Sequence, residues 1–263
     1  MGSGCGSAEA RSSSNLLPAA VTLVAMDGYG QYCPVSLAAE VFARRWTPLI
    51  VRELLVGSTR FNDLRRGMPT ISASVLSRRL HELEIAGIVH RVEDESGARY
   101  LLTDAGEELR PVVEALGCWG RRWLPTDYRD QDLDPRLLVW DIHRNFRFED
   151  VPTRTVIELH FPDAAADRRS YWLIVSPEGA DVCLTHPGGD IDVRLISDVR
   201  TLTDVWMGNT TWSGAVRRGN LKLTGDRQTR RALPRWLKLN EFAEIRPVAP
   251  PRRTAPRPAV GRG

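Results

Sequence analysis

The sequence predicts an α+β protein whose first part is mainly helical and whose second part is mixed. Apolar residues recur at helical spacing between residues 35 and 123, with one β-hairpin pattern at 88–103. After residue 154, four runs typical of strands are followed by mainly helical patterns that extend to residue 237. Between the two parts, residues 125–135 are polar and carry four aspartates, which is typical of a linker.

Length and patterning predict two domains flanked by tails. The expected segments are a disordered tail (1–30), a first domain (31–124), a linker (125–139), a second domain (140–246) and a disordered basic tail (247–263). Met26 is a second candidate for the natural start of the protein.

Composition indicates an ordinary globular chain. Of 263 residues, 42% are hydrophobic and 26% charged, and the formal net charge of +3 is too small to indicate a nucleic-acid partner by itself. The four cysteines form no CxxC pair, so we expect neither a disulfide scaffold nor a metal site. We also expect no cofactor, no membrane association and a cytoplasmic location, because no apolar stretch approaches the length of a membrane span.

The most informative stretch is residues 70–84. Ser72 is a good N-cap residue, because its hydroxyl can accept a hydrogen bond from an unpaired amide of the first turn. Leu76, Leu80 and Leu83 fall on one face and predict the buried side of a helix. The polar residues on or beside the opposite face are Ser74, Ser77, Arg78 and His81. A short helix with such an outer face fits the major groove of DNA.

The neighbouring patterns place this helix in a larger motif. Residues 60–67 predict a short helix, and Met68-Pro69 supplies the turn before Thr70. Downstream, residues 88–92 and 98–103 predict two strands joined by a tight turn. A helix-turn-helix followed directly by a hairpin is a winged helix. Between residues 60 and 79, five arginines stand against one aspartate, which adds the local positive charge expected of a DNA-binding surface.

Six short segments of this region resemble the HxlR family of bacterial winged-helix regulators. They are Cys33-Pro34, Arg45-Trp46-Thr47, Arg60-Phe61-Asn62-Asp63-Leu64, Ile71-Ser72, Leu76-Ser77-Arg78-Arg79-Leu80 and Tyr100-Leu101-Leu102-Thr103-Asp104-Ala105-Gly106. The resemblance covers roughly residues 31–124. It implies a homodimer that binds double-stranded operator DNA.

The motif predicts which side chains meet DNA. The expected base contacts are Ser74, Ser77 and Arg78, and the expected backbone contacts are Thr70, Ser72 and Arg79. Arg79 lies nearer the buried face, so it is expected to reach sideways to a phosphate or to a carboxylate. The tip of the wing is acidic and is repelled by phosphate, which leaves Arg99 as the expected contact, or makes the wing contact weak.

Cys33 stands at or just before the start of a helix predicted at 35–43, where the helix dipole and unpaired amides favour a thiolate. The resemblance implies a reactive cysteine near this place in redox and electrophile sensors. An inert, packed cysteine is the alternative. The same helix is expected to bury Val35 and Leu37, and the helix predicted at 46–56 is expected to bury Leu49.

A further apolar series marks the last helix of the first domain. Leu109, Val112, Leu116, Trp119 and Trp123 recur at three- and four-residue steps. Packing within one chain would explain this series. The resemblance implies instead that this helix pairs with its twin, and we predict dimerisation through Leu116, Trp119 and Trp123.

Four segments of the second part resemble the sterol carrier protein type 2-like domain. They are Asp192-Val193-Arg194-Leu195 and residues 202–208, 215–226 and 233–237. The resemblance implies a sheet with helices around an apolar tunnel that holds lipids. The candidate pocket walls for a hydrophobic small molecule are Trp172, Trp206, Trp212 and Trp236, each of which is also a core candidate.

These features predict a dimeric DNA-binding transcription regulator that responds to a hydrophobic small molecule or to redox and electrophile signals. We do not expect an enzyme, since the sequence has no Gly-rich phosphate loop, no HExxH and no Gly-x-Ser-x-Gly. The alternative is a lipid-binding or carrier protein that uses its winged helix as an interaction module. An interaction helix would more often expose an apolar stripe than serines and arginines.

Overall fold

The computed structural model describes residues 28–95, 97–124, 128–151 and 154–248. Most of both expected tails, Met26 and the first residues of the expected linker lie outside these residues. The described chain forms a helical N-terminal region (28–124) and a C-terminal region built on a β-sheet (128–248), each with its own hydrophobic cluster. Among the described residues, no helix is both long enough and apolar enough to cross a membrane.

The N-terminal region consists of six helices and one hairpin. The helices are α1 (Pro34–Phe42), α2 (Thr47–Leu55), α3 (Phe61–Arg66), α4 (Ala73–Ile85), α5 (Asp104–Glu107) and α6 (Arg110–Trp123). Strands β1 (Val89–Asp94) and β2 (Gly97–Leu102) pair antiparallel between α4 and α5. Helices α3 and α4 form the predicted helix-turn-helix, and the β1–β2 hairpin is the predicted wing.

Helix α4 forms as the sequence predicted. The Ser72 hydroxyl caps its N-terminus by accepting a hydrogen bond from the Val75 amide at 3.3 Å. Leu76, Leu80 and Leu83 are buried in the cluster that α2, α3 and β1 also form. Because three positions at helical spacing anchor the inner face, the orientation of the outer face is fixed.

Two predictions about α1 and α2 are wrong. Val35 is 75% exposed, and Leu37 and Leu49 are also exposed instead of buried. The residue that α1 buries is Ser36, whose hydroxyl donates a 2.7 Å hydrogen bond to the carbonyl of Cys33. Periodicity identifies an apolar face but does not say whether that face meets the core of the same chain.

The C-terminal region is a five-stranded mixed sheet with helices packed on it. The strands are β3 (Thr155–His160), β4 (Ser170–Ser176), β5 (Gly179–Cys183), β6 (Val193–Ser197) and β7 (Leu221–Gly225), in the spatial order β5-β4-β3-β6-β7. Strands β3 and β6 are parallel and every other neighbouring pair is antiparallel. The helices are α7 (Pro135–His143), α8 (Val199–Trp206), α9 (Trp212–Arg217) and α10 (Arg227–Trp236). The four predicted strand-like runs correspond to β3, β4, β5 and β6, and the helical patterns predicted after them correspond to α8, α9 and α10.

Helix α7 begins inside residues 125–139, which the sequence led us to expect as a linker. Asp134 caps this helix by accepting a hydrogen bond from the Arg136 amide at 2.9 Å, and Pro135 occupies its first position. Leu138, Val139 and Ile142 then pack into the core of the C-terminal region. The aspartates and the proline therefore start a helix here, although the same residue types are typical of linkers.

A buried ion pair joins α7 to the N-terminal region. Glu53 of α2 has no exposed side-chain surface, and Arg144, just after α7, donates to its Oε2 at 2.9 Å. Arg52 donates to the other carboxylate oxygen at 2.6 Å, and the Ser58 hydroxyl donates to Oε2 at 3.2 Å. Arg144 also donates to Asp141 at 2.6 Å. The carboxylate thus has several donors, as a buried charge requires.

A second set of contacts joins α6 to the C-terminal region. A Cβ atom on Gly117 would lie 2.3 Å from the ring of Phe242, so only glycine allows this approach. Buried Arg121 donates to the carbonyl of Met207 at 2.7 Å. The amide of Val248 donates to the carbonyl of Arg122 at 2.9 Å. The C-terminal segment therefore returns to the helical region along α6.

Candidate nucleic-acid interface

The outer face of α4 carries the predicted base contacts. Ser74, Ser77 and Arg78 are all exposed, and the Arg78 side chain is 64% accessible. Its Nε lies 3.9 Å from Glu82 Oε1, a separation at which the guanidinium remains available to an outside acceptor. The structure brings these three side chains to one exposed helix face, where a base edge in a major groove can reach them.

The three residues predicted to contact the DNA backbone differ in exposure and in their partners within the protein. Thr70 and Ser72 are exposed, and Ser72 accepts a hydrogen bond as the cap of α4. Arg79 is only 15% exposed, pairs with Glu82 and donates from Nε to the carbonyl of Arg45 at 3.2 Å. Of the two partners expected for Arg79, a phosphate or a carboxylate, the structure therefore supplies the carboxylate.

The wing places Arg99 in a charged group near the tip of the hairpin. Asp94 Oδ2 lies 3.4 Å from Arg60 Nη2 and 3.9 Å from Arg99 Nη1. An isolated bridge between Arg60 and Arg99 and the 2.7 Å bond from the Tyr100 amide to the carbonyl of Thr59 attach the wing to the start of α3. Arg60 is a member of this group that the site prediction did not include. The surplus of arginine around α3 was the signal that pointed to it.

An exposed apolar stripe runs along α6. Val112, Leu116, Trp119 and Trp123 follow one another at four-, three- and four-residue steps. Each of these four residues is about half exposed, from 47% to 54%. Residues at this spacing share one face of a helix over about 16 Å. Leu109 and Val113, on another side of the helix, pack against the N-terminal core. The larger apolar side chains of α6 are thus divided between the core and a surface that no other described part of the chain covers.

Known proteins similar to this chain match the region that contains the helix-turn-helix and the wing. Residues 41–128 match the family model described as HxlR-like helix-turn-helix. The HTH-type transcriptional regulator YvaP of Bacillus subtilis is 38% identical over 104 residues, which are 38% of this chain and 96% of YvaP. The chain belongs to the HxlR family. The HxlR-like region is thus a helix-turn-helix transcriptional regulator, and the C-terminal sheet is an addition to it.

Other relatives and solved structures match a similar share of the chain. The HTH-type transcriptional regulator YybR of Bacillus subtilis is 35% identical over 106 residues, or 38% of this chain and 85% of YybR. The oxidised form of the redox regulator HypR is 34% identical, with a TM-score of 0.33, over 37% of this chain and 99% of HypR. The reduced form of YodB from B. subtilis is 32% identical, with a TM-score of 0.31, over 34% of this chain and 92% of YodB.

Cys33 is the N-cap residue of α1 in this HxlR-like chain. It precedes Pro34, its side chain makes no capping hydrogen bond, and it is partly exposed. Cys118 on α6 and Cys183 on β5 are also free thiols of intermediate exposure. The expected position of Cys33 at a helix start is confirmed, and its reactivity stays a prediction.

The structure brings together two of the four tryptophans expected to line a pocket. Trp206 and Trp212 line a mostly apolar cavity of about 350 Å³, together with Leu202, Val205 and Leu239. Trp236 lines a larger polar depression of about 1000 Å³ near Asp226. Trp172 packs edge-on against His186, with ring centroids 5.6 Å apart. A sequence pattern can mark tryptophans as apolar anchors, but it cannot assign them to one cavity.

Proposed function

We propose that this HxlR-family chain is a homodimeric, operator-binding transcription regulator with two domains. The winged-helix domain spans residues 31–124, and residues 140–246 form a sterol carrier-like domain that binds a hydrophobic small molecule. The observation that carries the proposal is the exposed outer face of α4, where Ser74, Ser77 and Arg78 meet solvent. The carrier alternative would favour an apolar outer face, which these three residues do not provide.

Dimerisation is supported by the stripe on α6, because a soluble protein seldom leaves a continuous row of leucine and tryptophan without a partner. A two-fold dimer places its two reading helices about one duplex turn apart, near 34–36 Å. We therefore expect an operator made of two half-sites at that spacing. The proposed location is the cytoplasm, where such DNA is found.

The second domain is proposed to hold the effector in the cavity lined by Trp206 and Trp212. A volume of about 350 Å³ lies within the range of small-molecule sites, and the walls are mainly apolar. The five-stranded sheet with helices on it is the kind of architecture that the resemblance implied. An acyl or sterol-like compound is the chemical class that such walls would hold.

Replacing Arg78 with alanine is expected to weaken binding to operator DNA more than binding to random DNA. Arg78 can make a bidentate contact to a guanine, and the loss of such a contact costs roughly 1–3 kcal/mol of discrimination. The measurement is fluorescence anisotropy on an operator selected from a randomised library and on random duplex DNA of the same length. Equal losses on both would contradict base reading by Arg78. The matched control is Arg91→Ala, since Arg91 on β1 is an exposed arginine paired with Glu93 and is not expected to reach a base.

The Cys33 thiol is expected to react with iodoacetamide faster than those of Cys118 and Cys183 near neutral pH. Cys33 is the partly exposed N-cap residue of α1, whereas neither other cysteine lies at a helix start. The rates can be followed by mass spectrometry of the alkylated peptides. Oxidation is then expected to change operator affinity in the native protein and in Cys118→Ser. A response that persists in Cys33→Ser would rule out Cys33 as the switch.

A further inference from the structure

A second small-molecule cavity lies where α3 meets the C-terminal region. Its volume is about 350 Å³, within the range of known ligand sites. Arg65 and Arg66 of α3 form one side, and Arg136 and Trp140 of α7 and Tyr171 of β4 form the other. It shares no lining residue with the cavity of Trp206 and Trp212. The two cavities are therefore separate sites.

The charge of this cavity is one-sided. Three arginines line it, and none of its lining residues is an aspartate or a glutamate. Arg66 pairs with Asp63 at 3.1 Å and Arg136 pairs with Asp134 at 2.6 Å, both outside the cavity wall. Arg65 is exposed and has no ion pair within the described part of the chain. The wall thus has a guanidinium that an anion could engage without breaking an existing pair.

Two hydrogen-bond donors in the wall lack acceptors. Trp140 and Tyr171 are 8% and 3% exposed, and neither Trp140 Nε1 nor Tyr171 Oη finds a hydrogen-bond partner among the described residues. A buried donor without an acceptor is costly and uncommon in folded proteins. Burial raises the pKa of Tyr171 to about 12, so its hydroxyl keeps its proton at neutral pH. Both groups would gain from an acceptor placed beside them.

The remaining walls are apolar. Val139 is buried on α7, and Val182 on β5 is partly buried. Leu184, just after β5, is 71% exposed and lines the same cavity. The guanidinium of Arg66 lies 5.2 Å from the centroid of the Trp140 ring, which leaves a flat aromatic and cationic surface. This surface suits a flat apolar body that carries an acceptor.

We propose that this cavity binds a small organic anion, an aromatic carboxylate in its simplest form. Its carboxylate would pair with Arg65 and supply the acceptor that Tyr171 Oη lacks, while its ring packs on Leu184 and Val182. The proposal goes beyond the proposed function, because the site is charged, lies between the two regions and does not depend on operator binding. Its contact with α3, the first helix of the helix-turn-helix, places the anion next to the DNA-reading unit.

Calorimetric titration of the full chain with 2-naphthoate tests the proposal, and the neutral 2-naphthamide is the matched ligand. We expect one naphthoate per chain, bound at least tenfold more tightly than the amide. Leu184→Glu is expected to weaken naphthoate binding at least tenfold, and the isosteric Leu184→Gln less than threefold. Leu184 is exposed, so both variants are expected to fold. Equal affinity for acid and amide, or naphthoate binding that Leu184→Glu leaves unchanged, would overturn the proposal.

Tyr171→Phe supplies a second, independent measurement. Removing a hydroxyl that has no partner is expected to leave the melting temperature unchanged or raise it, while naphthoate binding weakens about fivefold or more. A lower melting temperature with unchanged naphthoate affinity would show that the hydroxyl is structural and would count against the proposal. Operator affinity is measured on the same proteins. A chain that binds the operator but not naphthoate would refute the anion site alone. A chain that binds naphthoate but not the operator would refute the proposed function alone.

Discussion

A Trp119→Asp variant is expected to be a monomer at concentrations at which the native chain is a dimer, and to lose most of its affinity for an operator. Trp119 lies in the middle of the exposed stripe on α6 and is 54% exposed in the single chain. Burying a large apolar side chain stabilises by about 1.5–3 kcal/mol, and a two-fold interface contains each residue twice. The expected loss of about 3–6 kcal/mol corresponds to a roughly 10²–10⁴-fold weaker dimer.

Sedimentation equilibrium measures the dimer constant, and anisotropy on a two-half-site duplex measures the operator affinity. Val216→Asp is the control, because Val216 on α9 is also an exposed apolar residue, at 44%, but lies outside the stripe. We expect this variant to remain a dimer. A Trp119→Asp protein that dimerises as strongly as the native chain would show that α6 is not the interface.

Arg144→Met is expected to lower the free energy of unfolding by about 3 kcal/mol at pH 7. Removing one partner of a buried pair typically costs 3–5 kcal/mol, because the other charge stays buried without it. Burial, the largest single influence, raises the pKa of Glu53, but the charges and hydrogen bonds of Arg52 and Arg144 together outweigh it and hold the pKa below 4.5. The remaining donors, Arg52 and Ser58, keep the expected loss at the lower end of that range.

Urea denaturation of the native chain and of Arg144→Met measures this difference. Since the folded pKa of Glu53 is lowered, the stabilisation is present above pH 4.5 and is lost as the pH falls through the folded pKa. The two proteins should therefore differ less in strong acid. Arg110→Met is the matched control, because Arg110 and Glu107 form a surface pair with side chains 46% and 53% exposed, worth less than about 1 kcal/mol. Equal losses of unfolding free energy in both variants would show that the burial of Glu53 does not make its ion pair more stabilising than a surface pair.

The sequence was most informative where one physical constraint decides the structure. Leu76, Leu80 and Leu83 could occupy only one face of a helix, and Ser72 could only begin it, so α4 and its outer face were predicted correctly. The strands of the C-terminal region were also predictable, because apolar alternation and the turns between them agree.

The sequence was least informative where one pattern has two physical outcomes. The apolar residues of α1 were expected in the core, but Val35 and Leu37 face solvent. Asp134 and Pro135 were expected in a linker, but they start α7. Nothing in the order of residues could pair Glu53 with Arg144, since that pair joins positions 91 residues apart.

The arrangement of contacts along α6 limits how the C-terminal region can move. Gly117, Arg121 and Arg122 meet that region within about 8 Å of one helix. Contacts along one short line resist a rotation of the C-terminal region about that line less than they resist its other movements. The Glu53–Arg144 pair and the packing of Arg66 on Trp140 join the two regions through α2, α3 and α7, and both oppose this turn. If both of these contacts were lost, the C-terminal region could turn about α6, while the exposed stripe of α6 and a partner bound to it would stay in place.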